Sequence, residues 1–397
     1  MTGEALAAGF LMPFEQTRRN HVCLEYHLRD DIDGDILQTA VLKTLEIYPY
    51  MRYGLILKNG KWFFTDDKMP IRVKRGYSIS LPHGSESCAR LVSVNYVENR
   101  IYITISHTLC AAKGAEMFAE SLIYQYYLLN GGDKTGVDGI RAVPEKDPEI
   151  LFKDVDYSAD SCPGSLDIES LYELNYELPF AGSEPEDTGI VAQLKLRNDD
   201  FFRFAKTNGS GITVAFFLLM AETVDRLYPE TGEEAVISSD VMADIGHIMG
   251  APDTIKNALT ITRVYIPRCD LKNNAFDINS AVIRDMLSRQ LTAEYVNYKH
   301  FHPVRRIPAT FMLSYAYNRS PLSALDGYVT DFDVWESGTR KIDYYEMNGV
   351  FTINLLFDGK SNLMMEGLQE TFERHDIPVC HTKLITLNAE DIDSLYT

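Results

Sequence analysis

The run Ile101–Ser106 (IYITIS) reads as a strand that ends on a single histidine, His107. A helical pattern begins a few residues later, at Lys113–Leu129. A histidine where the chain leaves a sheet presents an imidazole to a cleft, and imidazole titrates close to neutral pH, as a general base requires. Cys110 follows three residues on, but nothing in this spacing supports a Cys–His nucleophile. His300 and His302 flank Phe301, so they would share one face of a strand; with no third ligand nearby they read as a loop surface. Asp30, Asp31, Asp33 and Gly34 resemble the start of a calcium loop, yet the glutamate such a loop needs at its twelfth position is missing. Metal ligands are therefore not expected. The tyrosines Tyr124, Tyr126 and Tyr127 fall on the helix and read as core.

The elements that must hold His107 follow from periodicity. Gly34–Ile47 places Ile36, Leu37, Ala40, Val41, Thr44 and Leu45 on one helical face. Met51–Leu57 and Lys61–Thr65 flank Asn59-Gly60, a strong hairpin signal. Ala89–Val97 and Arg100–Ser106 form a second hairpin around Glu98-Asn99. Residues 133–187 lose periodicity and hold Gly, Pro, Ser and acidic clusters, as a connection does. Beyond it lie a strand at Ile190–Leu196, helices at 198–206 and Thr213–Leu227, and strands at Ala235–Ser239 and Ala258–Ile266. A helix from about Asp277 to Leu291 has Asp277 as its expected cap. Strands at Thr310–Tyr315, Tyr328–Trp335 and Val350–Phe357, a helix at Leu363–His375 and a short last strand complete the order. Helices and strands do not alternate strictly, which disfavours a fully parallel sheet.

Composition narrows the function classes. The 397 residues suggest two domains, and 45% hydrophobic with 24% charged content is that of a globular protein. The net charge of −19 argues against nucleic-acid binding, which needs a basic face. The basic stretches Arg72–Arg75 and His300–Arg306 read as solvated loops. No apolar run reaches the roughly 18 residues of a membrane span, and no basic leader precedes the first apolar residues. The six cysteines show no CxxC spacing and read as free thiols. The expected location is cytoplasmic. Without GxGxxG, Walker or GxSxG motifs, neither a bound nucleotide cofactor nor a hydrolase elbow is expected.

Four blocks, in order, resemble the CoA-dependent acyltransferase superfamily, which includes chloramphenicol acetyltransferase, condensation domains and bacterial alcohol acyltransferases. They are Met12–Gln16 leading to strand Val22–Leu28, Asp33-Gly34, the helix and YPYMR (Tyr48–Arg52), whose proline and arginine fit the family's strand start; His107 with the helix GAEMFAESLIYQYY; the helix ITVAFFLLMAETVDRL; and Thr310–Phe357 with DFDVW at Asp331–Trp335. The tone is closest to free-standing alcohol acyltransferase-like proteins. The family motif is HxxxDG. Here His107 is kept, Ala111 stands at the Asp position, Ala112 at the Gly position, and Ser106 where condensation domains carry a second histidine. In the family the motif Asp pairs with an arginine of the second lobe. The matching stretch, Asp240–His247, holds no arginine, and Asp244 and His247 are its nearest polar residues. Both members of the pair are thus expected to be lost together, which avoids stranding a buried charge at a cost of about 3–5 kcal/mol.

The resemblance implies an α/β (α+β) fold of two chloramphenicol-acetyltransferase-like lobes, each a mixed sheet covered by helices, with an interface channel. The lobes would be residues 1–165, carrying His107, and 188–397, joined by 166–187. The implied activity is acyl transfer from a CoA or carrier-protein thioester to an alcohol or amine, with His107 as general base and no bound cofactor. Ser106, Cys110, Trp335 and Ser337 are candidates for substrate contact, the last two as oxyanion donors. The implied partners are a small-molecule acceptor and an acyl carrier protein. Two rival readings accompany it: a catalytically silent relative that binds a ligand or partner in a biosynthetic pathway, motivated by the degenerate motif, and an amide-forming condensation enzyme.

Overall fold

The computed structural model describes residues 21–58, 61–66, 70–76, 90–133, 136–152, 190–229, 235–244, 246, 250–256, 259–298, 309–317, 320–325, 327–336, 340–357 and 359–386. The first half supplies β1 (His21–Leu28), α1 (Gly34–Ile47), β2 (Gly54–Lys58), β3 (Lys61–Thr65), β4 (Lys74–Arg75), β5 (Val92–Val97), β6 (Arg100–Ser106) and α2 (Ala112–Leu129). The second supplies β7 (Ile190–Arg197), α3 (Asn198–Thr207), α4 (Ile212–Leu227), β8 (Val236–Asp244), β9 (Leu259–Pro267), α5 (Arg268–Asn273), α6 (Phe276–Tyr298), β10 (Phe311–Tyr317), β11 (Val329–Glu336), β12 (Lys341–Met347), β13 (Val350–Leu356), α7 (Ser361–Arg374) and β14 (Val379–Thr386).

Most expected elements are present, and the departures are local. Pro49–Arg52 forms a 3-10 turn before β2 instead of starting the strand. Proline has no N–H to give a ladder and sits at the first position of that turn. α6 begins at Phe276, so Asp277 lies inside it, its carboxylate accepting from the Ile278 N–H. Asp33, considered as part of a calcium loop, is the N-cap of α1 and accepts from Asp35 N and Ile36 N. The histidines at 300 and 302, the cysteines at 88 and 162, and the connection 166–187 lie outside the described residues.

Two sheets organise the chain. One has the order β11-β1-β6-β5-β4, the other β14-β7-β13-β12-β10-β8-β9, and β2 pairs with β3 apart from both. Both are mixed: β4 runs parallel to β5, and β10 runs parallel to β8 and β12. The first sheet takes β11 from the second half of the chain, with Val22 opposite Glu336 and Glu25 opposite Asp333.

Side-chain alternation then separates two faces on each sheet. Val22, Leu24 and Tyr26 of β1, Ile101, Ile103 and Ile105 of β6, and Phe332 and Val334 of β11 enter one core with α1 and α2. Ala192, Leu194 and Leu196 of β7, Ile342 and Tyr344 of β12, and Ile353 and Leu355 of β13 enter a second core with α4 and α7. Polar residues take the opposite faces, and there the two sheets meet. Gln193 Nε2 donates to Asp333 Oδ1 at 2.8 Å, Tyr345 OH donates to the same oxygen at 2.6 Å, and Lys195 Nζ lies 2.8 Å from Asp331.

Candidate functional site

His107 stands at this polar junction because β6 ends at Ser106 and the chain turns into α2. Ser106 N bonds to Leu91 O at 2.8 Å and Leu109 N to Ser106 O at 2.9 Å, which closes the turn. Ser106 is buried opposite His21 of β1, and its Oγ accepts from Thr108 N at 3.3 Å. The His107 ring is partly buried, and its Nδ1 lies 3.3 Å from the Cys110 carbonyl oxygen. A carbonyl only accepts, so Nδ1 carries the hydrogen and Nε2 carries the lone pair. Burial, with smaller contributions from the Lys341 and His21 charges, pulls the His107 pKa down to about 4, against the opposing pull of the Cys110 bond. The ring is therefore neutral at pH 7, with Nε2 ready to accept a proton. Burial lowers His21 to about 4 as well.

Cys110 acts here through its carbonyl. Its thiol lies in the first core, and burial raises its pKa well above the usual thiol range, so no thiolate is supplied. Trp335 sits in β11 with its backbone opposite Cys23. Ser337 lies outside the described residues.

The altered motif positions have structural counterparts. Ala111 is the extended N-cap of α2 and makes no side-chain cap bond. The family's pair is absent here, with Ala111 and no arginine in 240–247, but the structure contains another link, of opposite polarity. Lys113 Nζ, in the first turn of α2, lies 3.1 Å from Asp244 Oδ2 at the end of β8 and 2.8 Å from Pro252 O. The cation now comes from the first half and the anion from the second. A lysine opposes the dipole at a helix N-terminus, and Asp244 offsets that. Asp240, also in the aligned stretch, has its own arginine from β9: Arg263 Nε and NH2 grip its two oxygens at 2.8 and 2.9 Å. Gly114 permits the close approach of this helix to the second half, since a Cβ there would meet Ile255 O at 2.3 Å.

Sequence reasoning missed a half-buried acid on α2. Among the described residues Glu116 Oε1 has no hydrogen-bond partner, and burial, with Glu120 beside it, raises the Glu116 pKa well above the carboxylate range. The i, i+4 spacing of Glu116 and Glu120 next to His107 was the available signal. Glu120 itself accepts from Ser320 Oγ at 2.8 Å. On β12, Lys341 and Asp343 are both buried and lie 3.0 Å apart.

No family model and no curated protein matches the sequence. Solved structures do match in fold. The chain is similar to polyketide synthase associated protein 5 from Mycobacterium tuberculosis, at 14% identity and TM-score 0.66, over 93% of this chain and 98% of that one. It is similar to F. graminearum TRI101 complexed with coenzyme A and deoxynivalenol, at 12% identity and TM-score 0.63, over 97% and 99%. It is also similar to the first condensation domain of the calcium-dependent antibiotic synthetase in complex with a substrate analogue, at 12% identity and TM-score 0.62, over 96% and 97%. The two helix-covered mixed sheets and these matches across nearly the whole length of each chain give the protein the fold that these three structures share.

Proposed function

We propose that this protein transfers an acyl group from a CoA or carrier-protein thioester to an alcohol or amine, in the cytoplasm, with His107 as general base. The observation that carries the reading is the His107 tautomer: Nδ1 is committed to the Cys110 carbonyl, and Nε2 carries the lone pair of a neutral ring. In the reaction, Nε2 takes the proton of the acceptor O–H or N–H as the acceptor oxygen or nitrogen attacks the thioester carbonyl. The tetrahedral intermediate collapses with cleavage of the C–S bond, and the proton passes to the leaving thiolate. No protein nucleophile is needed, which agrees with the buried Cys110 thiol.

A coenzyme A complex among the similar folds supports a CoA donor, and the condensation domain supports a carrier-bound one. Ser106, Trp335 and Ser337 remain the proposed substrate contacts. The deciding assay compares wild type and His107→Ala against a panel of acyl-CoAs with alcohol and amine acceptors. Equal turnover by both proteins would overturn the mechanism.

A second reading rests on a specific observation. A base with pKa near 4 gives less driving force than one near 7, and Ala111 replaces the motif acid. Both suit a silent relative that holds a ligand or carrier protein between the lobes. Saturable carrier binding without thioester turnover would select it over transfer. Amide formation between carrier-bound substrates is the amine branch of the first reading, and amine acceptors in the same panel test it.

A further inference from the structure

The strand β1 repeats polar residues at alternate positions, and two of them, Glu25 and His27, bracket Tyr26, which is buried in the first core. Glu25 and His27 therefore project from the other face of the sheet. Across the ladder, Asp333 of β11 stands directly opposite Glu25. Ligand atoms of all three side chains lie within 4.8 Å of one another. Two residues at i and i+2 on one strand, with a third facing them from the next strand, hold three donors on one side of a common point.

The surroundings fit a cation there. Glu25 and Asp333 are both buried, and like charges directly opposite in a sheet repel. Asp333 Oδ1 is held by Gln193 Nε2 at 2.8 Å and Tyr345 OH at 2.6 Å, both from the other sheet, which orients the carboxylate and leaves Oδ2 for a ligand. Such outer partners are what a metal-binding carboxylate needs. His27 Nε2 and Glu25 Oε1 are hydrogen-bonded at 2.8 Å, a contact that a bound metal would replace. The His27 side chain is 20% exposed, which gives an entry path from solvent. Arg100 approaches Glu25 at 3.6 Å, beyond hydrogen-bond length, and its half-exposed side chain has solvent to turn into. Lys195 is occupied by Asp331.

We infer that Glu25, His27 and Asp333 form a binding site for a divalent transition metal of the Zn2+ class. One imidazole and two carboxylates suit Zn2+ or Co2+. Ca2+ and Mg2+ call for six or more oxygens and are poorly served by three donors that include a nitrogen. Because β11 comes from the second half and Asp333 is gripped from the other sheet, a bound metal would tie the two sheets together. Its role would be structural, and it does not depend on the proposed transferase activity.

The full-length protein, stripped with a chelator and then dialysed, is titrated with Zn2+ by calorimetry and with Co2+ by visible absorption. One equivalent should bind, and the melting temperature should rise with metal, as for any ligand that binds only the native state. His27→Ala and Asp333→Asn should each weaken binding at least about tenfold and abolish the thermal shift. Should Asp333→Asn fail to fold, the partly exposed His27→Ala carries the test. Absence of saturable binding, or binding undiminished in His27→Ala, overturns the assignment.

Discussion

The two polar faces that meet between the sheets handle their ionisable groups differently. On the second sheet, buried charges are matched within the sheet. Arg263 clasps Asp240 directly across β8 and β9, and Lys341 sits 3.0 Å from Asp343 on β12. On the first sheet, at the end of β6, the groups are imidazoles held neutral by burial, and among the described residues His107 bonds through one nitrogen only. A charge locked to its neighbour stabilises a position and is chemically spent. A neutral ring with one lone pair uncommitted keeps its reactivity. The contrast supports the proposal that His107, the uncharged member of this group, is the base.

Replacing His107 should test this contrast most severely. His107→Ala is expected to lower acyl transfer by about 10²–10⁴-fold while leaving the thermal unfolding midpoint nearly unchanged, measured by steady-state kinetics beside differential scanning calorimetry. The mirror experiment is Arg263→Leu. It strands the Asp240 carboxylate and should cost about 3–5 kcal/mol in urea unfolding, with turnover per folded molecule retained. If Arg263→Leu abolished turnover in folded protein, the division between charges that hold and groups that react would fail.

A subtler test couples the faces. Lys341→Met/Asp343→Asn removes the smaller, cationic cause of the His107 depression without leaving its partner charged, so the His107 pKa should rise modestly from about 4 while burial still holds it low. Nitrogen-15 NMR would follow the ring directly. A base works when deprotonated, so the acid limb of the rate profile lies near pH 4 in wild type and shifts to higher pH in the double variant. The smallest effect belongs to the link between α2 and β8. Lys113→Ala should cost no more than about 1 kcal/mol, because both partners are partly exposed. The exchange Lys113→Asp/Asp244→Lys should recover most of that loss.

The sequence displayed some of this plainly. α1 and α4 match their expected ranges closely, since each has a broad apolar face and a clear boundary: the Asp33 N-cap before α1, and Tyr228-Pro229 after α4. β12 left no signature. All seven of its residues are buried, with Ile342 and Tyr344 in the second core and Lys341 and Asp343 facing the other way beside Tyr345 and Met347 of the first core, so no exposed side marks the strand. At the site, His107 was legible because a strand run stops on it. The Lys113–Asp244 link was not, because the charge moved by two positions along the chain and changed sign, which defeats a comparison made at position 111. The juxtaposition of Glu25, His27 and Asp333 depends on β11 crossing to the first sheet, a long-range pairing that no local pattern encodes.

That crossing has a consequence for how the molecule is made. β1 is synthesised near the start, yet the strand that covers its edge, Val329–Glu336, comes after most of the chain. During translation the β1 edge stays unpaired until β11 emerges from the ribosome, and open strand edges are where nascent chains pair wrongly. The charged and polar side chains of Glu25 and His27 then serve a second purpose, as a guard on a seam that closes late.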